Sequence, residues 1–107
     1  MASRYYILNL TDDPIQATLL EWGRWMDRAD RVVAKNQTPK GVEISTVFLG
    51  LNHALRDTDP PQIYETMIFG GSLSDWCART ATRDEALKEH HRAMELALEA
   101  EASDEPA

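Results

Sequence analysis

Two apolar runs studded with polar residues, VEISTVFLGLNH at 42–53 and QIYETMIFGG at 62–71, constrain the fold more than any other feature of the chain. Both are rich in β-branched and aromatic residues, which suit a pleated surface, and turn formers bound them: Pro39, Lys40 and Gly41 before the first, Pro60 and Pro61 between them, Gly70 and Gly71 after the second. They read as strands. In the first, Ser45, Val47, Leu49 and Leu51 share one face while Ile44, Thr46, Phe48 and Gly50 share the other. Both faces are largely apolar, so this strand is expected at the centre of a sheet, buried on both sides. In the second, Glu65 shares a face with Ile63, Met67 and Phe69, and only that carboxylate breaks the apolar side.

The flanking sequence supplies the rest of the architecture. Residues 4–10 (RYYILNL) suit an edge strand. Asp13, Pro14 and Gln16 form a helix-start signal, and Ile15, Leu19, Trp22, Met26 and Ala29 then recur at helical spacing, so the pattern predicts an amphipathic helix over 14–29 with Trp22 and Trp25 in core packing. Residues 31–38 (RVVAKNQT) make the first arm of a hairpin that leads into the 42–53 run, and 75–81 is a further short strand. Thr82 with Glu85 is a capping box that opens a second helix to about residue 99, on the stripe Ala86, Leu87, His90, His91, Met94, Ala97 and Leu98. The expected fold is one α+β domain over 1–99, ordered β-α-β-β-β-(β)-α. It consists of an antiparallel sheet of four to five strands with two helices packed on one face. Residues 100–107 are an acidic flexible tail.

Composition narrows the function classes. A chain of 107 residues has room for a single modest core. At 43% hydrophobic and 27% charged residues it reads as globular and not as disordered. No stretch nears the roughly 18 to 20 apolar residues of a membrane span, and no signal peptide is evident, so no membrane association and a cytoplasmic location are expected. A lone Cys77 fits a reducing compartment and is read as a small packed hydrophobe. Glu99, Glu101, Asp104 and Glu105 contribute −4 of the net charge of −7. Basic residues are scattered among acids, which disfavours direct nucleic-acid binding.

The candidate site follows from Glu65. A carboxylate among apolar neighbours needs a cation or several donors, and Arg79, His53 or His90 can supply one. His53, Glu65 and His90 are also residue types that bind a divalent metal or exchange protons, although their spacing matches no metal motif and neither a metal nor a cofactor is assigned. His90 and His91 lie about 100° apart on the helix, so they form no metal pair; one packs and the other flanks it. The binding residues singled out are Asn52, His53, Glu65, Arg79 and His90. Two helices leave one sheet face uncovered, and a homodimer through apolar residues such as Tyr64 and Ile68 is a further expectation.

The words STVFLGLNH (45–53) and YETMIFGG (64–71), with Arg79, Glu85, Ala86 and His90, resemble a family of small uncharacterised proteins of bacteriophages and bacterial genomes. The family patterns are STVFLGLxH, ETMxFGG and EAxxxH. Relatives more often carry Asp where this chain has Asn52, an aromatic where it has Thr80 and Trp where it has Arg83. The resemblance implies a phage or prophage setting in a bacterial host cell, with no activity attached. Two readings result. One is a non-catalytic protein that binds a host or phage protein, with inhibition of a host defence complex as its role. The other is a small metal-dependent hydrolase built on His53, Glu65 and His90.

Overall fold

The computed structural model describes residues 4–104 and shows an α+β architecture with a two-stranded hairpin, a four-stranded antiparallel sheet and two helices. The hairpin pairs β1 (Tyr6–Leu8) with β2 (Pro14–Gln16), where the sequence predicts the start of a helix. The correction has a local cause. Asn9 Oδ1 accepts hydrogen bonds from the Thr11 and Asp13 amides, 2.9 Å each, and Asp12 takes a φ of 61°. Short amide and carboxylate side chains stabilise such a reversal. It folds Pro14 back beside Leu8, in an edge strand where its missing N–H is tolerated. The helix, α1 (Leu19–Met26), begins at a different cap. The Glu21 amide donates to Thr18 Oγ1 (3.2 Å), and the Thr18 amide donates to the Glu21 carboxylate (2.9 Å). These bonds, the one from the Thr18 backbone first, hold the Glu21 carboxyl below its ordinary pKa.

The larger sheet is a meander of β3 (Val32–Gln37), β4 (Glu43–Phe48), β5 (Tyr64–Phe69) and β6 (Cys77–Thr80), in that spatial order. The β3–β4 turn closes with the Gly41 amide donating to the Thr38 carbonyl, at a φ of 85° that favours glycine. In register, Ala34, Thr46, Thr66 and Ala78 form one row across the four strands.

The second helix, α2 (Arg83–Asp104), starts where the capping box predicts, with the Glu85 amide donating to Thr82 Oγ1 at 3.1 Å. It runs past the expected end near residue 99, and the Thr38 hydroxyl donates to the Glu101 carboxylate. Residues 100–104 therefore belong to the helix, which corrects the tail expected over 100–107; residues 105–107 lie outside the described residues.

α2 is the main cover of the four-stranded sheet. It presents Ala86, His90, Ala93 and Ala97, all buried, to Ile44, Phe48, Tyr64 and Ile68, which have no exposed surface. Each of these large side chains contributes about 1.5–3 kcal/mol by leaving water, and the alanines let the helix come close enough to bury them. α1 reaches the same face only at its margin: it packs mainly against β1, with Trp22 5.3 Å from Tyr5, while Trp25 meets Phe48 edge-on at 5.6 Å. Gly50 makes this packing possible: a Cβ there would stand 3.0 Å from Trp22 Nε1 and 3.1 Å from the Tyr6 carbonyl oxygen.

Three further expectations are corrected. β4 is an interior strand but is buried on one face only, since Ser45 and Val47 are half-exposed on the side opposite α2. Tyr64 and Ile68 lie under α2 and not on the open face. Cys77 is exposed, because its strand is the sheet's other edge and its side is uncovered. The single helical layer also makes the molecule long, 55 × 29 × 19 Å with a radius of gyration of 15.7 Å, against about 13 Å for a compact chain of this length. Among the described residues no helix is long and apolar enough to cross a membrane.

Candidate functional site

Strand parity and the position of α2 sort the five singled-out residues into three separate places. Glu65 and Arg79 are direct cross-strand neighbours on β5 and β6, on the open face of the sheet. Arg79 Nε donates to Glu65 Oε2 at 2.9 Å, with the two side chains 45% and 15% exposed. The carboxylate thus has the cation its strand position calls for, and the pair joins strand to strand. In solvent such a pair contributes about 0.2–1 kcal/mol.

Asn52 and His53 stand at the start of the loop that links β4 to β5. Asn52 Oδ1 accepts from the Ala54 amide (2.8 Å) and the Gln62 amide (3.0 Å), so one side chain clamps both ends of the loop. An aspartate in the same place would accept the same two bonds. His53 is exposed. Arg4, Gln16, Asn52, His53, Asp57 and Asp59 line an open hollow of about 530 Å³ beside the loop, and neither Glu65 nor His90 lines it.

His90 is on the opposite side of the sheet from Glu65. Its Nδ1 lies 2.7 Å from Thr46 Oγ1, its Nε2 lies 2.8 Å from Asn36 Oδ1, and Thr46 Oγ1 lies 2.6 Å from Thr66 Oγ1. An amide oxygen can only accept, so Nε2 carries the proton and Nδ1 accepts from the Thr46 hydroxyl; Thr46 in turn accepts from Thr66. Every member is satisfied with a neutral imidazole. Burial, and then the neighbouring His91, push the His90 pKa below its ordinary value. The chain ties β5, β4, α2 and β3 together and engages both ring nitrogens of His90. His91 points away into solvent and contacts Glu95 at 2.8 Å.

The trio His53, Glu65 and His90 is therefore not assembled. Two sheet faces and a loop separate its members, and among the described residues no group of three or more His, Cys, Asp or Glu side chains is placed to hold a metal ion. Three partners of the buried chain, Asn36, Thr46 and Thr66, escape sequence reasoning, which seeks an ionic partner for a histidine. The available signal is that Thr46 shares a face with Ile44 and Phe48: a hydroxyl on an apolar face needs a polar group above it.

Each helix carries exposed apolar side chains. On α1, Leu19 and Leu20 are 60% and 64% exposed, and with Trp22 and Gly23 they line a shallow depression. On α2, Leu87 and Leu98 are exposed beside Met94 along the flank next to β3. No protein-family model, curated protein or solved structure matches the chain.

Proposed function

We propose that this is a non-catalytic interaction protein of phage or prophage origin that acts in the bacterial cytosol by docking α1 into an apolar cleft of a host or phage protein. The observation that carries the reading is the orientation of α1. Its Trp22 and Trp25 face inward, so Leu19 and Leu20 are left in water on a helix with no fully buried residue. An amphipathic helix that offers neighbouring leucines is the form in which one protein seats a helix in another's groove. At Gly23 there is nothing within 4 Å of where a Cβ would be, so a partner's wall can approach the backbone closely there.

The setting rests on the motifs STVFLGLNH and YETMIFGG, and inhibition of a host defence complex is the role that suits a small acidic protein in that setting. Direct nucleic-acid binding is not part of the reading, for want of a basic cluster. The test is affinity capture from phage-infected host extract with the wild-type chain and a Leu19→Asp/Leu20→Asp variant. Both positions are exposed, so the variant keeps its fold. A host or phage protein retained by the wild type should bind at least about tenfold more weakly to the variant. Equal retention by both, or no specific protein on the wild type, refutes the reading.

A further inference from the structure

The flank of α2 beside β3 carries two exposed leucines, Leu87 and Leu98, that the core does not use, with Met94, which packs partly against the core, between them. Leu87, His91, Met94 and Leu98 succeed one another at spacings of four, three and four, which sets them in a single file along one side of the helix. The file that faces the sheet is a different one, Ala86, His90, Ala93 and Ala97. Leu87 and Leu98 are 40% and 42% exposed, and with Asn36 the seam walls a groove of about 470 Å³. Such a spacing is how one helix packs along another.

We infer that this seam is the docking site for a second copy of the chain, with the two α2 helices antiparallel. Self-complementarity selects that occupant. A twofold axis crossing α2 between Arg92 and Ala93 sets Leu87 opposite Leu98 of the second copy and His91 opposite its Met94, each contact occurring twice. The charges agree with the same axis. Lys88, beside Leu87, falls across from Glu95 of the second copy, and Glu95 across from its Lys88, so two opposite-charge pairs close the solvent side of the seam. A parallel pairing would stack His91 on His91 and leave Lys88 and Glu95 without opposite charges across the seam.

The strand edge on that flank is consistent with this arrangement. Thr38 bonds to Val42 across the β3–β4 pair, and alternation by two then turns Ala34 and Asn36 toward β4, which leaves the N–H and C=O of Lys35 and Gln37 directed outward. The Lys35 ammonium lies on the other sheet face, 3.3 Å from Glu43.

Sedimentation equilibrium on the full chain across a micromolar-to-millimolar series tests the inference. The wild type should approach twice its 12.1 kDa. Lys88→Glu should weaken the dimer about tenfold by turning two attractions into repulsions, and Lys88→Glu/Glu95→Lys should restore it to within about twofold. Leu98→Asp should leave a folded monomer, and Leu19→Asp/Leu20→Asp should leave the dimer intact, which separates this site from the α1 surface. A monomer at every concentration overturns the inference. So does a dimer indifferent to Leu98→Asp, a double swap as weak as the single one, or a dimer lost with the α1 variant.

Discussion

Replacing Thr46 with valine probes the buried chain most directly, because it removes one hydroxyl and keeps the shape. Thr46 has no exposed surface, and its oxygen both donates to His90 Nδ1 and accepts from Thr66. Without it, two buried polar groups lose their partners, at about 1–3 kcal/mol each. The better burial of a methyl group offsets part of this, so Thr46→Val should destabilise by about 3 kcal/mol. Thr66→Val removes only the end of the chain and leaves the bond to His90, so it should cost about 1 kcal/mol. The double variant orphans only His90 Nδ1, and it should therefore be more stable than Thr46→Val alone. Urea unfolding at pH 7.5, followed by tryptophan fluorescence at one fixed protein concentration, measures all three. A change of about 3 kcal/mol is a large share of the roughly 5–15 kcal/mol that holds a domain of this size together. If Thr46→Val costs no more than Thr66→Val, or the double variant is the least stable of the three, the hydroxyl does not join His90 to the sheet.

Two further outcomes follow from the same geometry. The pKa of His90 is lowered by folding from about 6.5, so the unfolded chain takes up the proton first; stability should be full above pH 6.5 and fall as the pH drops through the folded value. A His90→Gln variant should lose that slope in urea midpoints between pH 5 and 8, and an unchanged slope would assign it to other groups. Glu65→Ala should lower stability by no more than about 1 kcal/mol, since its partner Arg79 is nearly half exposed. A loss above about 3 kcal/mol would mean that the open sheet face is covered in solution.

The sequence is legible wherever one local rule acts without competition. The helix start at Thr82, the turn at Gly41 and the alternation through Ile44, Thr46 and Phe48 all appear in the fold as the residues imply. At residues 13–21 two helix-start signals compete, Asp13 with Pro14 and Thr18 with Glu21. The bonds to Asn9 Oδ1 decide between them, and these involve a residue outside either signal. The Glu65–Arg79 pair is legible because a carboxylate on a strand needs a neighbour, whereas its face is not, because parity says which residues share a side and not which side is covered. His90 shows the same limit: its burial follows from the helical stripe, but its partners depend on which sheet row α2 crosses.

The placement of leucine explains why so much apolar surface remains. Among the described residues the largest fully buried apolar side chains are Ile44, Phe48, Ile63, Tyr64 and Ile68, closed by alanines; no leucine is fully buried, and Leu8 and Leu73 pack only against the margins. Leucine is ordinarily a core residue. Here the small side chains on the inner file of α2 bring the helix close to the sheet, which leaves no depth for a longer side chain there and pushes Leu87 and Leu98 to the flank. On α1 the cause is different: the large rings of Trp22 and Trp25 fill the inner side, and Leu19 and Leu20 are turned out. Filling the core with small residues from α2 and large residues from the strands thus accounts for the uncovered flank of α2. A single replacement can test that link: Ala93→Leu should lift α2 from the sheet, lengthen the His90–Thr46 bond and destabilise by about 1–3 kcal/mol through overpacking. The lifted helix should also weaken self-association without touching the seam. If Ala93→Leu were tolerated with no loss of stability, close approach would not be what drives the leucines outward.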